Sequence, residues 1–396
     1  MNKRVEGSVN LERQDRAKRA LRILLVCVFI AMIGLGIVSP IMPIYASDLG
    51  ATGVWIGLIY SSFSLSRALL MTPIGRVSDV RSKKKIMCLG LGAYALASIL
   101  YVFAWNPLFL TAVRFIHGVG SAMVIPVASA YVVELTPKGE EGRYMGMMNM
   151  AMFTGFGVGP LIGGYLTNLS YAVTFYAMTA LISVSLLLTL LFVPEESSLN
   201  IEKKNKRVPS LRVVMLHKRL KAIFIYRLID AFGRGSIMAF LSLFANQTLG
   251  IPLPTVGLLL SIGILANSLL QTPMGVIADR HNRVMLVVAG GLIGSAGYLY
   301  LYLSSNLVNL ITSRLIVALG AAMSLPALSA IAAEEGKKIG PGSTMGLFNT
   351  AMSTGQIMGP IISGVLLDLY DIYTIFEFTA LVCIVGVILF YLITRS

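Results

Sequence analysis

Seven ionisable side chains fall inside long apolar stretches of the chain, where an isolated charge is costly. They are Arg67, Arg114, Arg227, Asp230, Arg234, Arg314 and Glu377. Charges in such surroundings are rare, and they typically mark a path for ions, protons or charged solutes. The acids among them can take up and release protons, whereas the arginines can neutralise an acid or bind an anion.

Asp230 is the best-placed acid for ion coupling. Arg227 lies three residues before it and Arg234 four residues after it, so both can face it on one helix. Structural pairing, ion coupling and substrate contact are all open roles for Asp230. Glu377 is flanked by two phenylalanines, which suits either proton uptake or a residue at the membrane boundary.

The apolar stretches that hold these charges are long enough to cross a membrane. Hydrophobic residues make up 56% of the 396 residues and charged residues 13%, whereas a soluble domain has about 25% charged residues. A bilayer core of about 30 Å needs about 20 apolar residues in a helix. The runs predict twelve transmembrane helices, at 21–46, 54–73, 86–104, 108–133, 144–166, 171–193, 220–247, 253–274, 284–303, 308–332, 344–367 and 371–393.

The basic residues predict how these helices are oriented. The chain has 32 Lys and Arg and 18 Asp and Glu. None of the Lys and Arg lies in the loops that follow odd-numbered spans. Cytoplasmic loops are rich in Lys and Arg, so both termini are predicted to be cytoplasmic, in a multi-pass protein of the cell (inner or plasma) membrane. This pattern accounts for the net charge of +14, and no nucleic-acid partner is predicted.

The second part of the chain repeats the first with an offset of 200 residues. Arg114 recurs as Arg314 and Asp79 recurs as Asp279, without a net insertion between the copies. Two copies of one unit are one known way to build a transporter, with a binding site between the halves. The predicted parts are a cytoplasmic segment 1–20, six-helix bundles 21–193 and 220–396, and a cytoplasmic linker 194–219.

A glycine, an acid and a run of bases occur between the second and third predicted spans. The positions that define this pattern are Gly75, Asp79, Arg81 and Lys83, with Asp279 as the copy of the acid. Glycine permits a close helix approach or a tight turn, and Asp79 can cap the start of a helix. The segment resembles the loop 2–3 signature of the major facilitator superfamily, although Val80 and Ser82 replace the usual Arg and Gly.

The resemblance implies a gating role for this acid. In that family it helps to hold the cytoplasmic gate shut, and plain helix capping is the alternative role for Asp79. Glu134 and Arg143 bracket the short loop between the fourth and fifth spans. Both lie near Asp79 if the family fold holds, so we hypothesise a charge cluster of Asp79, Arg143 and Glu134 at the gate.

The fifth span carries a regular series of glycines. The series consists of Gly146, Gly155, Gly159, Pro160, Gly163 and Gly164. A spacing of four residues leaves one helix stripe without side chains, which lets another helix approach closely, and Pro160 permits a bend. The series resembles the signature of the antiporter branch of the superfamily, and its copy departs at Ser363. A generic small-residue packing seam is the alternative interpretation.

Arg114 lies near the start of the fourth span. The segment around it is similar to a third signature of the superfamily. The arginine of that signature is proposed to assist proton transfer, and a structural ion pair is the alternative role. In the family, spans 1, 4, 7 and 10 line the central cavity. The cavity candidates on these spans are Met32, His117, Met123 and Met238. Methionine suits an adaptable pocket, whereas His117 could also be a packed polar residue.

The resemblance covers essentially the whole chain and implies the major facilitator fold. This is an all-α integral membrane fold, with twelve transmembrane helices in two pseudo-symmetric six-helix bundles. It implies a secondary active transporter that works by alternating access as a monomer in the lipid bilayer. The branch implies a proton-coupled exporter (antiporter) of small amphipathic compounds or drugs, driven by the proton gradient.

A second substrate class stays open. Drug–proton antiporters commonly keep an acid in span 1 or nearby, but span 1 of this chain has none, and Asp48 lies at its outer end. Arginines also outnumber acids within the spans. The alternative is therefore a transporter of an anionic or zwitterionic metabolite or lipid-like solute.

No enzyme chemistry is predicted. The sequence contains no G-x-x-x-x-G-K-[ST] nucleotide loop and no H-E-x-x-H motif, and its three His and three Cys form no cluster with metal-ligand spacing. We therefore predict no catalytic residue, no metal site and no cofactor.

Overall fold

The computed structural model describes residues 2–136, 140–195, 217–339 and 341–395. Over these residues it consists of helices joined by short turns. The helices are α1 (Asn2–Asp48), α2 (Gly53–Val80), α3 (Lys83–Val102), α4 (Pro107–Leu135), α5 (Glu141–Thr167), α6 (Tyr171–Phe192), α7 (Lys218–Leu243), α8 (Leu253–Arg280), α9 (Arg283–Tyr302), α10 (Leu307–Ile339), α11 (Pro341–Leu369) and α12 (Ile372–Arg395). A π-helical turn, Phe244–Thr248, extends α7. In the described residues, 12 helices are long and apolar enough to cross a membrane, which confirms the predicted fold class.

Short polar side chains cap the starts of α3, α4, α6 and α9. Asn106 accepts a hydrogen bond from the backbone N–H of Phe109 at 2.8 Å, and Ser170 accepts one from Val173 at 3.1 Å. Such caps satisfy N–H groups that have no partner within the helix. The turns after α1 and α7 use Gly50 and Gly250, whose φ angles of 80° and 66° favour glycine, at positions related by the repeat.

The N-terminal six helices and the C-terminal six pack in the same way. In the first group α1 packs against α5 and α6, and α4 packs against α2 and α3. In the second group α7 packs against α11 and α12, and α10 packs against α8 and α9. This correspondence is the structural form of the 200-residue repeat. The two groups meet mainly where α2 contacts α11 and where α5 contacts α8.

The two ends of the helix bundle differ in their basic residues, and we call them the basic end and the opposite end. The basic end holds the α2–α3 and α8–α9 turns and the start of α7, and the opposite end holds the turns near 50 and 250. At the opposite end the two groups are joined by hydrogen bonds. Gln247 donates to Ser47 at 3.0 Å, and Ser61 donates to the carbonyl oxygen of Ile357 at 2.7 Å. The opposite end is therefore closed.

The second helix is longer than the sequence predicts. Gly75 and Asp79 lie on the last turns of α2, which runs to Val80, rather than in a loop. Ser82, not Asp79, caps α3, because its hydroxyl directly precedes the helix and accepts from the N–H of Lys85. The thickness of the hydrocarbon core sets the length of an apolar run, but it does not set the length of a helix. The backbone groups of a helix hydrogen-bond to one another on both sides of the membrane boundary.

The predicted terminal segment and linker are described only in part. The backbone of α1 begins at Asn2, so the helix includes most of the predicted segment 1–20. Residues 196–216 of the predicted linker lie outside the described residues.

Candidate functional site

The centre of α7 carries a buried acid between two arginines. Asp230 Oδ2 accepts a hydrogen bond from Arg227 Nη1 at 3.0 Å and a second one from Arg234 Nη2. The Asp230 side chain is 13% exposed and the Arg234 side chain 32%. Spacings of three and four residues bring all three groups to one helix face, as the sequence predicts.

The two arginines are held differently. Arg227 Nη2 lies 2.9 Å from the sulfur of Met352 on α11, and its guanidinium carbon lies 4.6 Å from the centre of the Phe348 ring. A guanidinium stacked on an aromatic ring keeps its edge free for hydrogen bonds. Arg227 is therefore fixed between α7 and α11, while Arg234 is the partner of Asp230 that water or a solute can reach.

Small residues on α7 let neighbouring helices come close to this site. A Cβ on Gly233 would lie 2.9 Å from the ring of Tyr298 on α9, and a Cβ on Gly235 would lie 3.1 Å from the ring of Pro360 on α11. The acid is therefore enclosed by helices on both sides of α7.

A second basic site lies on α4 in the N-terminal group. Arg114 is 5% exposed, and its guanidinium carbon lies 4.9 Å from the centre of the Phe63 ring and 5.3 Å from that of Tyr60. Its Nη1 lies 3.5 Å from Nδ1 of His117. The faces of these two aromatic rings therefore stabilise the Arg114 cation, in the place of a carboxylate partner.

His117 is enclosed by aromatic rings. The Tyr101 hydroxyl lies 2.8 Å from its Nδ1, and the ring centres of Tyr94 and Phe63 lie 4.5 Å and 5.4 Å from that of His117. These surroundings are those of a packed polar side chain within the N-terminal group.

Arg67 on α2 shares the aromatic surface of Arg114. Its guanidinium carbon lies 5.6 Å from the centre of the Phe63 ring. In the part of the chain that the structure describes, neither arginine forms an ion pair with a carboxylate. The described buried polar atoms without a hydrogen-bond partner on α2, α3 and α4 are Arg67 Nε, Tyr94 Oη, Arg114 Nε, His117 Nε2, Ser121 Oγ and Glu134 Oε2, the last on a carboxylate whose other oxygen contacts Lys83. The N-terminal group therefore has an excess of buried positive charge.

Arg314 on α10 is the repeat copy of Arg114, with different surroundings. Position 263 on α8 is glycine where the first copy has Phe63, and a Cβ there would lie 2.7 Å from Arg314 Nε. The arginine therefore lies directly over backbone in the second copy, and its Nε has no hydrogen-bond partner.

The glycine series of α5 lies against α1. A Cβ on Gly155, Gly159 or Gly163 would come within 3.0 Å of backbone atoms of α1. Any side chain there would push the two helices apart. Gly146 is different, because a Cβ there would meet no atom within 4 Å.

The same part of α5 also forms the contact between the two helix groups. A Cβ on Gly164 would lie 2.5 Å from the carbonyl oxygen of the first residue of α8, and a Cβ on Gly257 of α8 would meet the carbonyl group of Pro160. In the repeat copy, a Cβ on Gly364 of α11 would meet Gly53 of α2. Both seams therefore rest on backbone contact near the opposite end.

The gate residues pair differently from the hypothesis. Glu134 Oε1 lies 2.8 Å from Lys83 Nζ, and Arg143 Nη1 lies 3.3 Å from Glu140 Oε2. Asp79 and Arg81 are exposed. Among the described residues, the cluster of Asp79, Arg143 and Glu134 is therefore not formed in this structure. Lys83 starts α3 beside the end of α4 and is 2% exposed, whereas the Arg143 side chain lies 73% in solvent.

The second copy repeats this pairing. Arg283 lies 3.1 Å from Glu334, at positions 200 residues after Lys83 and Glu134. Arg283 also lies 3.5 Å from Asp279, the copy of Asp79, which is four residues earlier. In each copy, the base at the start of the third helix (α3 or α9) therefore joins that helix to the fourth helix (α4 or α10) at the basic end of the bundle.

The sequence matches the profile of the Major Facilitator Superfamily twice, over residues 24–229 and 223–396. The chain belongs to the Major Facilitator Superfamily. It is therefore a multi-pass membrane transporter, and the predicted family resemblance is confirmed.

Relatives of this transporter span almost its whole length. The uncharacterized MFS-type transporter MJ1560 of Methanocaldococcus jannaschii is 32% identical over 371 residues, which cover 92% of this chain and 95% of the relative. The quinolone resistance protein NorA of Staphylococcus aureus is 25% identical over 348 residues, which cover 87% of this chain and 88% of NorA.

Solved structures show the same fold. The nucleoside transporter NupG superposes with a TM-score of 0.83 at 16% identity, covering 95% of this chain and 99% of NupG. A bacterial homologue of the human lysosomal transporter Spinster, in an inward-facing and unoccupied conformation, superposes with a TM-score of 0.80 at 13% identity, covering 96% and 97% of the two chains.

The methionines proposed for the cavity of the transporter lie at helix contacts. Met32 is 8% exposed and faces Gly155, and Met123 faces Gly90 of α3. The sulfur of Met238 accepts a hydrogen bond from Ser39 at 3.2 Å, which joins α1 and α7 across the two groups.

Glu377 of the transporter stands apart from the buried charges. Its side chain is exposed, whereas Phe376 beside it is completely buried. Packing of Phe376 fixes the rotation of α12, so the next residue points away from the interior.

The sequence reasoning missed one acid that joins the two helix groups. Asp368, at the end of α11, accepts hydrogen bonds from the backbone N–H groups of Gly53 and Val54 at the start of α2. A carboxylate at a helix start is stabilised by free N–H groups and by the helix dipole. The only signal in the sequence is an acid at position 368 where the first copy has Asn168.

Proposed function

We propose that this transporter is a proton-coupled exporter of small amphipathic compounds that works by alternating access. One observation carries the proposal: in the described residues, Asp230 is the carboxylate at the middle of a spanning helix, and it is mostly buried. Charges at this depth are usually retained for ion or substrate movement.

The geometry of Asp230 suggests how proton and substrate compete. One oxygen, Oδ2, accepts from both Arg227 and Arg234. A proton on Asp230 removes the charge that holds Arg234, so protonation frees the more accessible arginine. Conversely, a solute that binds near Arg234 favours one charge state of Asp230 over the other. This mutual exclusion is what exchange of a proton for a solute requires.

The closed end of the bundle fits one step of the cycle. The distribution of the basic residues supports a cytoplasmic location for the termini, and hence for the basic end, in a protein of the cell membrane. The closed opposite end then faces outward. Opening it requires α2 to slide on α11 and α5 on α8, and the side-chain-free seams at Gly53 and Gly164 suit such motion. We place the moving units at 21–193 and 220–396, within one monomer.

Relatives and composition support the substrate class. NorA is named for quinolone resistance and is similar over 87% of this chain. The chain contains 20 methionines, whose flexible side chains adapt to differently shaped apolar compounds.

The test is transport by purified protein in liposomes with an imposed proton gradient and a cationic dye. We expect gradient-driven dye movement that is lost in Asp230→Asn. Glu377→Gln is the matched control, because it neutralises an exposed acid in another span. Dye movement that ignores the proton gradient, or full coupling in Asp230→Asn, would disprove the proposal.

A second substrate class is favoured by one observation. Arg67 and Arg114 are buried or half-buried without a carboxylate partner in the described part of the chain, and both lie over Phe63. Such an excess of charge suits an anionic or zwitterionic metabolite or lipid-like solute. Flux of an organic anion that is lost in Arg67→Gln, without dye movement, would favour this class.

A further inference from the structure

A small cavity with a partly polar lining lies beside Asp230 in the C-terminal group. It measures about 30 Å³ and lies between α7, α9, α10 and α12. Its polar lining consists of Tyr226, Asp230, Ser295, Tyr298 and Ser324. Backbone of three glycines on α9 and one on α10 forms much of the remaining wall.

The repeat explains why the second copy has space for this cavity. Position 294 is glycine, whereas its counterpart in the first copy is Tyr94, which is 1% exposed. The Tyr94 ring packs on His117 at 4.5 Å, and the counterpart of His117 is the smaller Val317, which lines the cavity. The space that large rings occupy in the first copy is therefore left beside Asp230 in the second.

The size and lining of the cavity match water. A polar cavity holds a water molecule when it offers at least about 10–15 Å³ and two to four polar partners. A Cβ on Gly291 would lie 2.8 Å from the Tyr226 hydroxyl, so this hydroxyl points at the cavity wall. The Ser295 hydroxyl donates to the carbonyl oxygen of Gly291 at 2.9 Å and keeps its lone pairs for a further donor.

The charges around the cavity argue against a metal cation. Arg227 and Arg234 already donate to the Asp230 carboxylate from α7. From the helices packed against it, Tyr298 and the thiol of Cys383 line the same space. Arg314 is the further cation on α10. A carboxylate that already has two guanidinium partners attracts a third cation weakly, whereas neutral water hydrogen-bonds to it without that cost.

We propose that this cavity is a hydration site through which Asp230 exchanges its proton. Water held between Tyr226, Ser295 and Asp230 hydrogen-bonds to the carboxylate. An excess proton carried by this water forms the O–H bond of the protonated acid, and the water is left neutral. The exchange role rests on the proposed proton coupling, whereas the hydration site stands on the cavity alone.

The first experiment tests hydration without any transport assay. X-ray radiolysis produces hydroxyl radicals from bound water, which oxidise the side chains next to it. We expect oxidation of Tyr298 and Cys383 in the purified wild-type protein, and loss of that oxidation in Gly294→Leu. A Cβ on Gly294 would meet no atom within 4 Å, so a side chain can enter the cavity there. Absence of oxidation in the wild type, or equal oxidation in Gly294→Leu, overturns the hydration site.

Gly92→Leu is the matched control. A Cβ on Gly92 would also meet no atom within 4 Å, and its counterpart in the second copy is Leu292. This variant should keep the oxidation of Tyr298. Should Gly294→Leu fail to fold, Gly294→Ala narrows the same cavity with a smaller group, and reduced oxidation is expected.

The second experiment separates this inference from the proposed function. Liposome transport is measured over a series of pH values in wild type and in Gly294→Leu. Loss of proton coupling in Gly294→Leu but not in Gly92→Leu supports the exchange role. The exchange role is overturned if Gly294→Leu loses the radiolytic oxidation of Tyr298 but keeps its proton coupling. A wild type without proton coupling refutes the proposed function, and the radiolysis result then still decides whether the cavity holds water.

Discussion

The carboxylate of Asp368 lies 2.5 Å from the backbone nitrogen of Gly53, across the contact between α11 and α2. Its other oxygen accepts from the N–H of Val54 at 2.9 Å. The repeat-related contact between α5 and α8 cannot form this pair. Asn168 stands in place of the acid, and Pro254, which has no N–H, stands in place of Val54. Among the described residues, a carboxylate therefore joins the α2–α11 seam, whereas the α5–α8 seam lacks its counterpart and rests on backbone packing.

Replacing Asp368 by Asn should favour opening of the opposite end. The change removes the negative charge and one of the two acceptor oxygens from this contact. Hydrogen bonds to charged groups are worth about 1.5–3 kcal/mol, and a loss of about 1.4 kcal/mol corresponds to a tenfold shift in the opening equilibrium. The measurement is the rate at which Ser61→Cys, a position in this seam, reacts with a membrane-impermeant maleimide added from the outside. We expect faster reaction when Asp368→Asn is present.

The control for this experiment is Asn168→Asp. It creates the acid in the other seam, where the start of α8 offers fewer N–H groups, and should leave the labelling rate unchanged. Equal labelling in Asp368→Asn and in the parent protein would contradict a latch at this position.

Glycines of α5 should differ sharply in their tolerance of alanine. A Cβ on Gly159 would lie 2.5 Å from backbone of α1, whereas one on Gly146 would meet nothing within 4 Å. Overpacking of this kind costs about 1–3 kcal/mol. We expect Gly159→Ala to lower the thermal unfolding temperature and the transport rate, and Gly146→Ala to change neither. Similar unfolding temperatures for both variants would show that α5 and α1 do not depend on this contact.

The pair of Lys83 and Glu134 should matter more than the pair of Arg143 and Glu140. Lys83 is 2% exposed, so its loss leaves Glu134 without its closest partner, whereas the Arg143 pair lies in solvent. Exposed pairs contribute little because water screens them. We expect a lower unfolding temperature in Lys83→Met than in Arg143→Ala.

The Lys83 prediction has an internal check. The double exchange Lys83→Glu with Glu134→Lys restores opposite charges and should recover part of the lost stability. No recovery, together with a large effect of Arg143→Ala on turnover, would instead support the hypothesised gate cluster with Asp79.

The aromatic contact of Arg114 should distinguish arginine from lysine. The guanidinium carbon lies over the rings of Phe63 and Tyr60, and lysine keeps the charge but lacks the planar guanidinium group. Cation–π contacts are worth about 0.5–2 kcal/mol. We expect Arg114→Lys and Phe63→Leu each to lower stability and transport in the same assay.

A matched comparison comes from the second copy. Arg314 has glycine at position 263 instead of a ring, so Arg314→Lys should be the milder change. Unchanged stability and transport in both lysine variants would mean that the positive charge alone matters, and equal losses in both would contradict a special role for the Phe63 ring.

Local interactions were predictable from the sequence. The pairing of Asp230 with Arg227 and Arg234 follows from helix spacing, because residues three and four apart share one face. The spanning helices follow from apolar runs whose length is set by the bilayer. The helix ends were less predictable, since α2 continues to Val80 beyond its apolar run.

The sequence by itself determined twelve spans, their repeat and the family, because length, hydropathy and spacing are properties of the chain in order. Only the tertiary structure decided which groups meet. Asp368 finds backbone N–H groups more than 300 residues away, which have no side-chain signature. The direction in which the Glu377 side chain points depends on how packing rotates α12. The cavity beside Asp230 exists because glycines on neighbouring helices leave space where larger side chains would otherwise lie. Such relations exist only when helices distant in the chain are brought together.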